Sequence, residues 1–498
     1  MTRTPLDSIR RALARRGRPD KAAAAATTQQ TGLFPTSQAF ENAQAQTHRQ
    51  TRTAGFLRRT VNAWWNRLLS SVYNRSFSDQ DAEYAEHVTS LDYLWNTVGT
   101  TVWGLVFPLL TIVSTQIAGA NQAGMFSMAF VTGTLLMIAC NYGVRNFQVS
   151  DIDENSSFAS YQANRWICAA LTLIAGVIYI KVRSYSSYMA TICMGVFIYK
   201  LVDGVADVYE GRLQQADKLY LSGISQALRS IAVVAVFSLL LFATDSMAVA
   251  ATGMGVVAVL SLAFVTLPLA LLETEKSRSV SLSEVAHLFT LCLPSFGALF
   301  LFNLIESMPK FVMESALPYR NQLYFNALFF PAQGILLTIG FVYKPQLLRL
   351  SNIWSSPKQR RKFDIIIGAL MGVIVAVTAA MAFFMGVAGV DLLGMLYGLN
   401  FEKYRLLAYL MVLAGGVTAA IDFLHAVITV LRHAKDVMRI YLICFAASIV
   451  VPLALVNLFG LTGAVVSYLA IMTILLVLLI IEYARIRQRI HKQRNPFD

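Results

Sequence analysis

Charge is scarce in this sequence. Only 14% of its 498 residues are Asp, Glu, Lys or Arg, against 56% that are hydrophobic, and the mean hydropathy is +0.55. Soluble domains carry about 25% charged residues, so this balance excludes them and leaves an integral membrane protein. Cysteine is scarce too. The five present (Cys140, Cys168, Cys193, Cys292, Cys444) sit inside apolar stretches with no CxxC spacing, which excludes a disulfide framework and a thiolate metal site and fits small buried apolar residues. No secretory signal opens the chain, because the first long apolar run begins only near Tyr93; the first membrane helix is expected to direct insertion. A Walker A loop, a metal-ligand cluster, a nucleophile elbow and a carboxylate pair in a long extracytoplasmic loop are all lacking, so ATP hydrolysis by this chain, a metal, a cofactor and enzymatic catalysis are not expected.

What charge there is has a pattern. The net charge of +13 is spread over an N-terminal arm, short loops between apolar stretches and the tail after Tyr483. This distribution fits membrane orientation and contact with anionic lipid headgroups, and it does not fit a nucleic-acid partner. Residues 1–54 hold Arg10, Arg11, Arg15, Arg16 and Arg18 and the low-complexity run Ala22 to Gln30; too little apolar surface is present to offset ordering entropy, so a disordered basic cytoplasmic arm is expected. Over 55–75, Phe56, Leu57, Val61, Trp64, Trp65, Leu68, Leu69 and Val72 recur at helical spacing among Arg58, Arg59 and Arg67. That pattern predicts an amphipathic helix, lying in the membrane interface or docked on the protein's own cytoplasmic face.

From Tyr93 onward, apolar segments of spanning length follow one another near 93–117, 122–144, 164–183, 187–209, 222–244, 246–272, 284–307, 321–347, 363–387, 404–431, 437–458 and 461–484. The expectation is an all-α membrane protein of about twelve transmembrane helices. With the N-terminus inside, the inside loops take Arg145, Arg212, Lys218, Lys276, Arg278, Arg349, Lys358, Arg360, Arg361, Lys362, Arg432, Lys435 and Arg439, and the basic tail 485–498 is inside as well. The outside connections take only Lys181, Arg183, Lys310, Arg320 and Lys403, so both termini are expected to be cytoplasmic. A weak internal repeat relates the second segment, from Phe126 to Arg145, to the eighth, from Phe325 to Lys344, at the same spacing. It predicts two lobes of six helices, 93–272 and 284–484.

Ionisable residues at membrane depth are costly and face a cavity, an interface or the bundle interior. Lys200, Asp203, Asp207 and Glu210 share one helical face of the fourth segment; Lys200 can pair with Asp203, leaving Asp207 for Arg212 or Arg229. They read as a gating or coupling element, or as a fixed ion pair with a solvated helix end. Glu306, Lys310 and Glu314 share a face at the end of the seventh segment, where Lys310 points into an outward cavity or the helix simply ends after Pro309. Asp422 and His425, at i and i+3 in the tenth, form either a proton relay or a satisfied hydrogen bond.

Three stretches carry a family resemblance. Ala123-Gly-Met-Phe-Ser-Met-Ala with Tyr142-Gly-Val-Arg145-Asn-Phe-Gln-Val-Ser-Asp151 resembles the first-to-second-helix region of bacterial polysaccharide flippases of the multidrug, oligosaccharidyl-lipid and polysaccharide exporter (MOP) superfamily. Tyr209 to Asp217 with the segment to Arg229, and Leu396 to Phe401 with Tyr404 to Arg432, are similar to later parts of the same family. The resemblance implies two pseudo-symmetric six-helix lobes around a central cavity. It also implies flipping of an undecaprenyl-diphosphate-linked oligosaccharide across the bacterial plasma membrane, with glycosyltransferases or a polymerase of the pathway as partners. Family members often carry Pro-Arg after helix seven where this chain has Pro309-Lys310, which keeps the charge but not a bidentate fork. Arg145, Arg229, Lys310 and Lys344 are the expected diphosphate-attracting residues, with alternating access driven by an ion gradient or by consumption of product. Two other readings stay open: a drug exporter of the same superfamily, which should favour acidic cavity residues, and a scaffold that recruits glycan enzymes through its arm.

Overall fold

The computed structural model describes residues 77–151, 154–347, 350, 353–354, 360–431 and 434–494. The basic arm 1–54 and the amphipathic stretch 55–75 lie outside them.

Among the described residues all regular structure is helical, with no strand, as a hydrocarbon solvent requires of backbone that must satisfy its own hydrogen bonds. Its helices are α1 (Phe77–Asn141), α2 (Val144–Ser150), α3 (Phe158–Val182), α4 (Ser187–Gln215), α5 (Leu219–Thr244), α6 (Met247–Ser261), α7 (Leu267–Glu273), α8 (Leu282–Ala316), α9 (Arg320–Tyr343), α10 (Arg360–Phe384), α11 (Val390–Tyr397), α12 (Arg405–Val430) and α13 (Ala434–Arg494). Wide π turns at Leu262–Thr266 and Met385–Gly389 join α6 to α7 and α10 to α11. Among the described residues, ten stretches are long and apolar enough to cross a membrane. Two of them, Leu94–Asn141 with 48 residues and Asp436–Arg489 with 54, are broken at Gly119 (φ 83°) and Gly460 (φ 57°). Each break lets glycine adopt a backbone that a side chain would resist, so each long stretch crosses twice, at about twenty residues per crossing. The described residues therefore make twelve crossings of a multi-pass membrane protein.

Side-chain burial follows the same solvent logic. Leu171, Phe242, Phe383 and Met395 are left bare on the outer surface, where hydrocarbon would meet them, while Arg165, Arg229, Lys200 and Lys310 are buried inside. Two lobes result: α1 packs with α4 and α5, and α4 with α6, in one; α8 packs with α13, and α12 with α9, α10 and α13, in the other. Close approach inside the first lobe rests on glycine. A Cβ on Gly223 of α5 would lie 2.2 Å from the Trp95 carbonyl oxygen of α1, and one on Gly99 2.4 Å from the Gly223 oxygen. Small residues at helix contacts are the usual means of close packing in membranes.

We call the end of the bundle that holds the α1–α2 break proximal and the end that holds Gly119 distal. At the distal end the lobes meet along two seams. In one, Gln116 Nε2 donates to the Leu396 carbonyl at 2.8 Å, Thr111 and Tyr397 hydroxyls lie 3.2 Å apart, and Gly124 leaves no room for a Cβ against the Tyr319 carbonyl. In the other, Arg183 Nη2 donates to Glu314 Oε2 at 2.8 Å, and Tyr185 donates to the same carboxylate. At the proximal end contact runs along the α2/α3–α8 side: Tyr142 stacks on Phe296 at 4.5 Å, and Ser157 N–H donates to Glu284 at 3.0 Å.

Two expectations need correction here. The seventh crossing does not stop at Pro309; α8 continues to Ala316, because a membrane helix tolerates an internal proline when its neighbours resatisfy the backbone. The third begins at Phe158 rather than 164, since the Ser157 hydroxyl caps the helix by accepting from Ser160 N–H at 3.2 Å.

Candidate functional site

A cavity of about 590 Å³ lies between the lobes. Its lining runs from Thr100 and Trp103 of α1 and Phe341 and Lys344 by α9, all near the proximal end, to Ser307, Lys310 and Asn326 further in. The distal seams close it off beyond that depth, so its access is from the proximal side. Lys344 stands exposed at that rim.

Five of the residues expected from the sequence line this cavity: Lys200, Lys310, Lys344, Asp422 and His425. Lys310 is buried, with its Nζ 5.0 Å above the Phe329 ring and 5.8 Å from that of Phe325. It faces the central cavity rather than a separate outward one, because α8 runs on through Pro309 and holds Lys310 inside the bundle. No carboxylate lies within ion-pair distance of Lys310 or Lys344 among the described residues. Asp422 Oδ2 accepts from Tyr343 Oη at 2.6 Å, and His425 Nδ1 lies 3.0 Å from Tyr441 Oη. The two therefore share a wall but bond to different tyrosines, and no direct Asp422–His425 relay is formed. Glu306, one helical turn before Lys310, accepts from Tyr468 at 3.2 Å and also lines the cavity.

Four expected residues do not line it. Arg145 on α2 donates to Asp207 at 2.9 Å and to Gln214, while Arg229 on α5, 1% exposed, donates to Asp203 and pairs with Glu210, each at 2.9 Å. Both guanidiniums are thus spent inside the first lobe, and neither is a cavity residue. Asp203 is buried and Asp207 half-buried, both held in the same network. Lys200 does pair with Asp203, at 3.5 Å, as the i, i+3 spacing predicts. Asp207 meets neither Arg212 nor Arg229. It takes Arg145 and Arg165, the latter at 2.8 Å, while Arg212 turns to Glu154. The reason is the direction of the α4 face: Lys200, Asp203, Asp207 and Glu210 look towards α1, α2, α3 and α5 together, so partners come from several helices. Asp151 belongs to the loop, where it accepts from Asn155, Ser156 and Tyr161.

Sequence reasoning missed Arg165, which is fully buried and also donates to the Cys140 carbonyl at 3.0 Å and Asn141 Oδ1 at 2.8 Å. The serine cap at Ser157 was the available signal: it starts the helix early enough to carry Arg165 inside. Trp103, Phe130 and the tyrosines at 343, 441 and 468 were also missed, since aromatic residues at helical spacing look alike whether they face lipid or a cavity.

A second hollow, about 700 Å³, flanks the α3–α8 seam and is lined almost wholly by apolar side chains, among them Leu136, Leu171, Phe296, Phe300, Leu304 and Met308. Leu135 borders both spaces.

No protein-family model and no curated protein sequence matches the chain. Solved structures do resemble it. An inward-facing MATE-family multidrug resistance transporter of the MOP superfamily aligns with a TM-score of 0.57 and 11% identity over 81% of this chain and all of that one. The Vibrio cholerae MATE transporter VcmN in its bent form gives 0.54 and 12% over 82% and 98%. A MOP-superfamily transporter from Pyrococcus furiosus, described as having a binding pocket of reversed polarity that suggests a different function, gives 0.52 and 13% over 82% and 96%. Likeness at this identity establishes the fold: two lobes of the MOP transporter type, with the cavity between them.

Proposed function

We propose that this protein is a lipid-linked oligosaccharide flippase of the bacterial plasma membrane, moving undecaprenyl-diphosphate-linked glycan units from the inner to the outer leaflet. The observation that carries the reading is that Lys310 and Lys344 face the cavity with no carboxylate among the described residues in ion-pair contact. Ammonium groups with no carboxylate in direct contact favour an anionic ligand, and a diphosphate supplies one. The proximal end would be cytoplasmic with both termini, since the lysines and arginines cluster there. The head group enters from that side, the isoprenoid tail stays in hydrocarbon, and the lobes exchange their proximal opening for a distal one.

A second reading has its own support. Glu306 and Asp422 line the same cavity among Phe107, Phe329 and Tyr441, a setting that suits an aromatic cation and hence a drug exporter. One experiment separates the two. In a host whose own flippase is deleted and replaced by this chain, the Lys310→Ala/Lys344→Ala double variant, inserted at the normal level, should abolish surface glycan. A variant that still exports glycan fully would sink the flippase reading. Drug resistance that depends on Glu306 and Asp422 and ignores the two lysines would establish the exporter.

A further inference from the structure

Seven buried or half-buried groups of the first lobe form one connected chain of alternating charge: Lys200, Asp203, Arg229, Glu210, Arg145, Asp207 and Arg165. It holds four cations and three carboxylates, so one positive charge is in surplus. Geometry shows which one. Arg165 is tied down by Asp207, a backbone carbonyl and Asn141; Arg145 by Asp207 and Gln214; Arg229 by Asp203, Glu210 and Thr266.

Lys200 differs from these three. Among the described residues its one polar partner is Asp203 Oδ2 at 3.5 Å, and that oxygen already accepts from Trp103 Nε1 at 2.9 Å while Oδ1 accepts from Arg229 at 2.9 Å. The rest of its surroundings are ring faces: Phe130 at 4.3 Å, Tyr199 at 4.8 Å and Trp103 at 4.9 Å. Aromatic faces hold a cation by their quadrupole and leave its N–H groups unused. If the ammonium left, Asp203 would keep two donors and the remaining six charges would balance. Lys200, Trp103 and Phe130 all line the central cavity, across from Lys310 and Lys344.

We infer that Lys200 is the first lobe's anion ligand: it is stored in an aromatic cradle and drawn into the cavity by a diphosphate that the second lobe's lysines hold from the other side. The assignment rests on the anionic-substrate reading above and adds to it that both lobes grip the same head group. That gives the substrate a direct hold on the relative position of the lobes.

The test uses full-length protein in nanodiscs, with farnesyl diphosphate as the probe and farnesol as its uncharged control. Wild type should prefer the diphosphate in a salt-sensitive way. Lys200→Met should lose about tenfold or more of that preference, the scale of one charge-assisted contact. Its thermal midpoint should be unchanged or higher, because the six groups left behind are balanced, and Lys200→Arg should keep the preference. Full preference in Lys200→Met overturns the assignment, as does a fall in midpoint equal to that of Arg229→Met, which would make Lys200 a structural ion-pair member. A wild type that ignores the diphosphate overturns the anionic-substrate reading and Lys200's role with it. If Lys200→Met does not accumulate, wild-type fluorescence decides: withdrawal of the ammonium should shift an emission component that Trp103→Phe lacks, and no such shift with farnesyl diphosphate counts against the proposal.

Discussion

Arg183, at the end of α3, and Glu314, near the end of α8, join the two lobes at their distal end: Nη2 donates to Oε2 at 2.8 Å. The carboxylate is fully buried and also takes Tyr185, Tyr179 and Tyr319, so one acceptor gathers donors from both lobes. With the cavity reachable only from the proximal side, this cluster is a lock that has to open before the distal end can. Glu314→Gln keeps the shape and removes the charge that holds Arg183. Spin labels at Asn121 and Arg320, both exposed, should then report a longer distance population than in the parent. An unchanged distribution would show that the Gln116–Leu396 seam alone holds the distal end shut.

Gly223 is a packing position with no slack. A Cβ there meets the Trp95 carbonyl oxygen at 2.2 Å, and backbone cannot move aside as a flexible side chain would. Gly223→Ala should force α1 and α5 apart and cost about 1–3 kcal/mol, the range for overpacking. Gly104, with open space beside it, is the control: Gly104→Ala should leave the thermal midpoint in detergent where it was.

Asp151 gives the proximal loop a pH dependence. Burial would push its carboxyl pKa up, but donation from the Ser156 and Asn155 backbone, the Asn155 side chain and Tyr161 outweighs it and holds the group below its usual 3.8. A pKa depressed by folding contributes stability that is complete above the unfolded value and is lost as pH falls through the folded one. Hydrogen exchange at Asn155 and Ser156 should therefore be protected at neutral pH and accelerate below 3.8, beyond the intrinsic pH effect. Asp151→Asn should expose these amides at every pH; equal protection in the variant would place their order in the α3 cap instead.

Crossings were legible in the sequence because hydrocarbon imposes a length and a polarity on each one, and the segments near 187–209, 321–347 and 404–431 emerge as α4, α9 and α12. The site was legible only in part. Lys310, Lys344, Asp422 and His425, all singled out in the sequence, line the cavity, Lys310 in the central space rather than an outward one, since an ionisable group at membrane depth has few places to go. Arg145 and Arg229 carried the same signature, yet they neutralise Asp207, Asp203 and Glu210 inside one lobe. Spacing along a helix tells which residues share a face; it does not tell whether that face meets water or other helices. For α4 the answer lay in Arg165 and Arg229, which reach it from α3 and α5.

Arg229 shows how strongly the buried charges depend on one another. It stands between Asp203 and Glu210, in ion-pair contact with both at 2.9 Å, and is 1% exposed. Arg229→Met removes the close partner of both carboxylates, leaving Asp203 with Lys200 at 3.5 Å and Glu210 with Arg145 at 4.0 Å, a change expected to cost about 3–5 kcal/mol. Removing charge from the other side should help. In Arg229→Met/Glu210→Gln, the carboxylate left leaning on Arg145 at 4.0 Å is gone, while Asp203 keeps Lys200 and Trp103 and Asp207 keeps Arg145 and Arg165. The double variant should therefore be more stable than Arg229→Met alone, although Glu210→Gln by itself is destabilising. A thermal-shift double-mutant cycle in detergent measures this coupling directly. Simple additivity of the two single effects would mean that Arg229 and Glu210 do not share a partner-dependent charge, and that the seven groups are not one network.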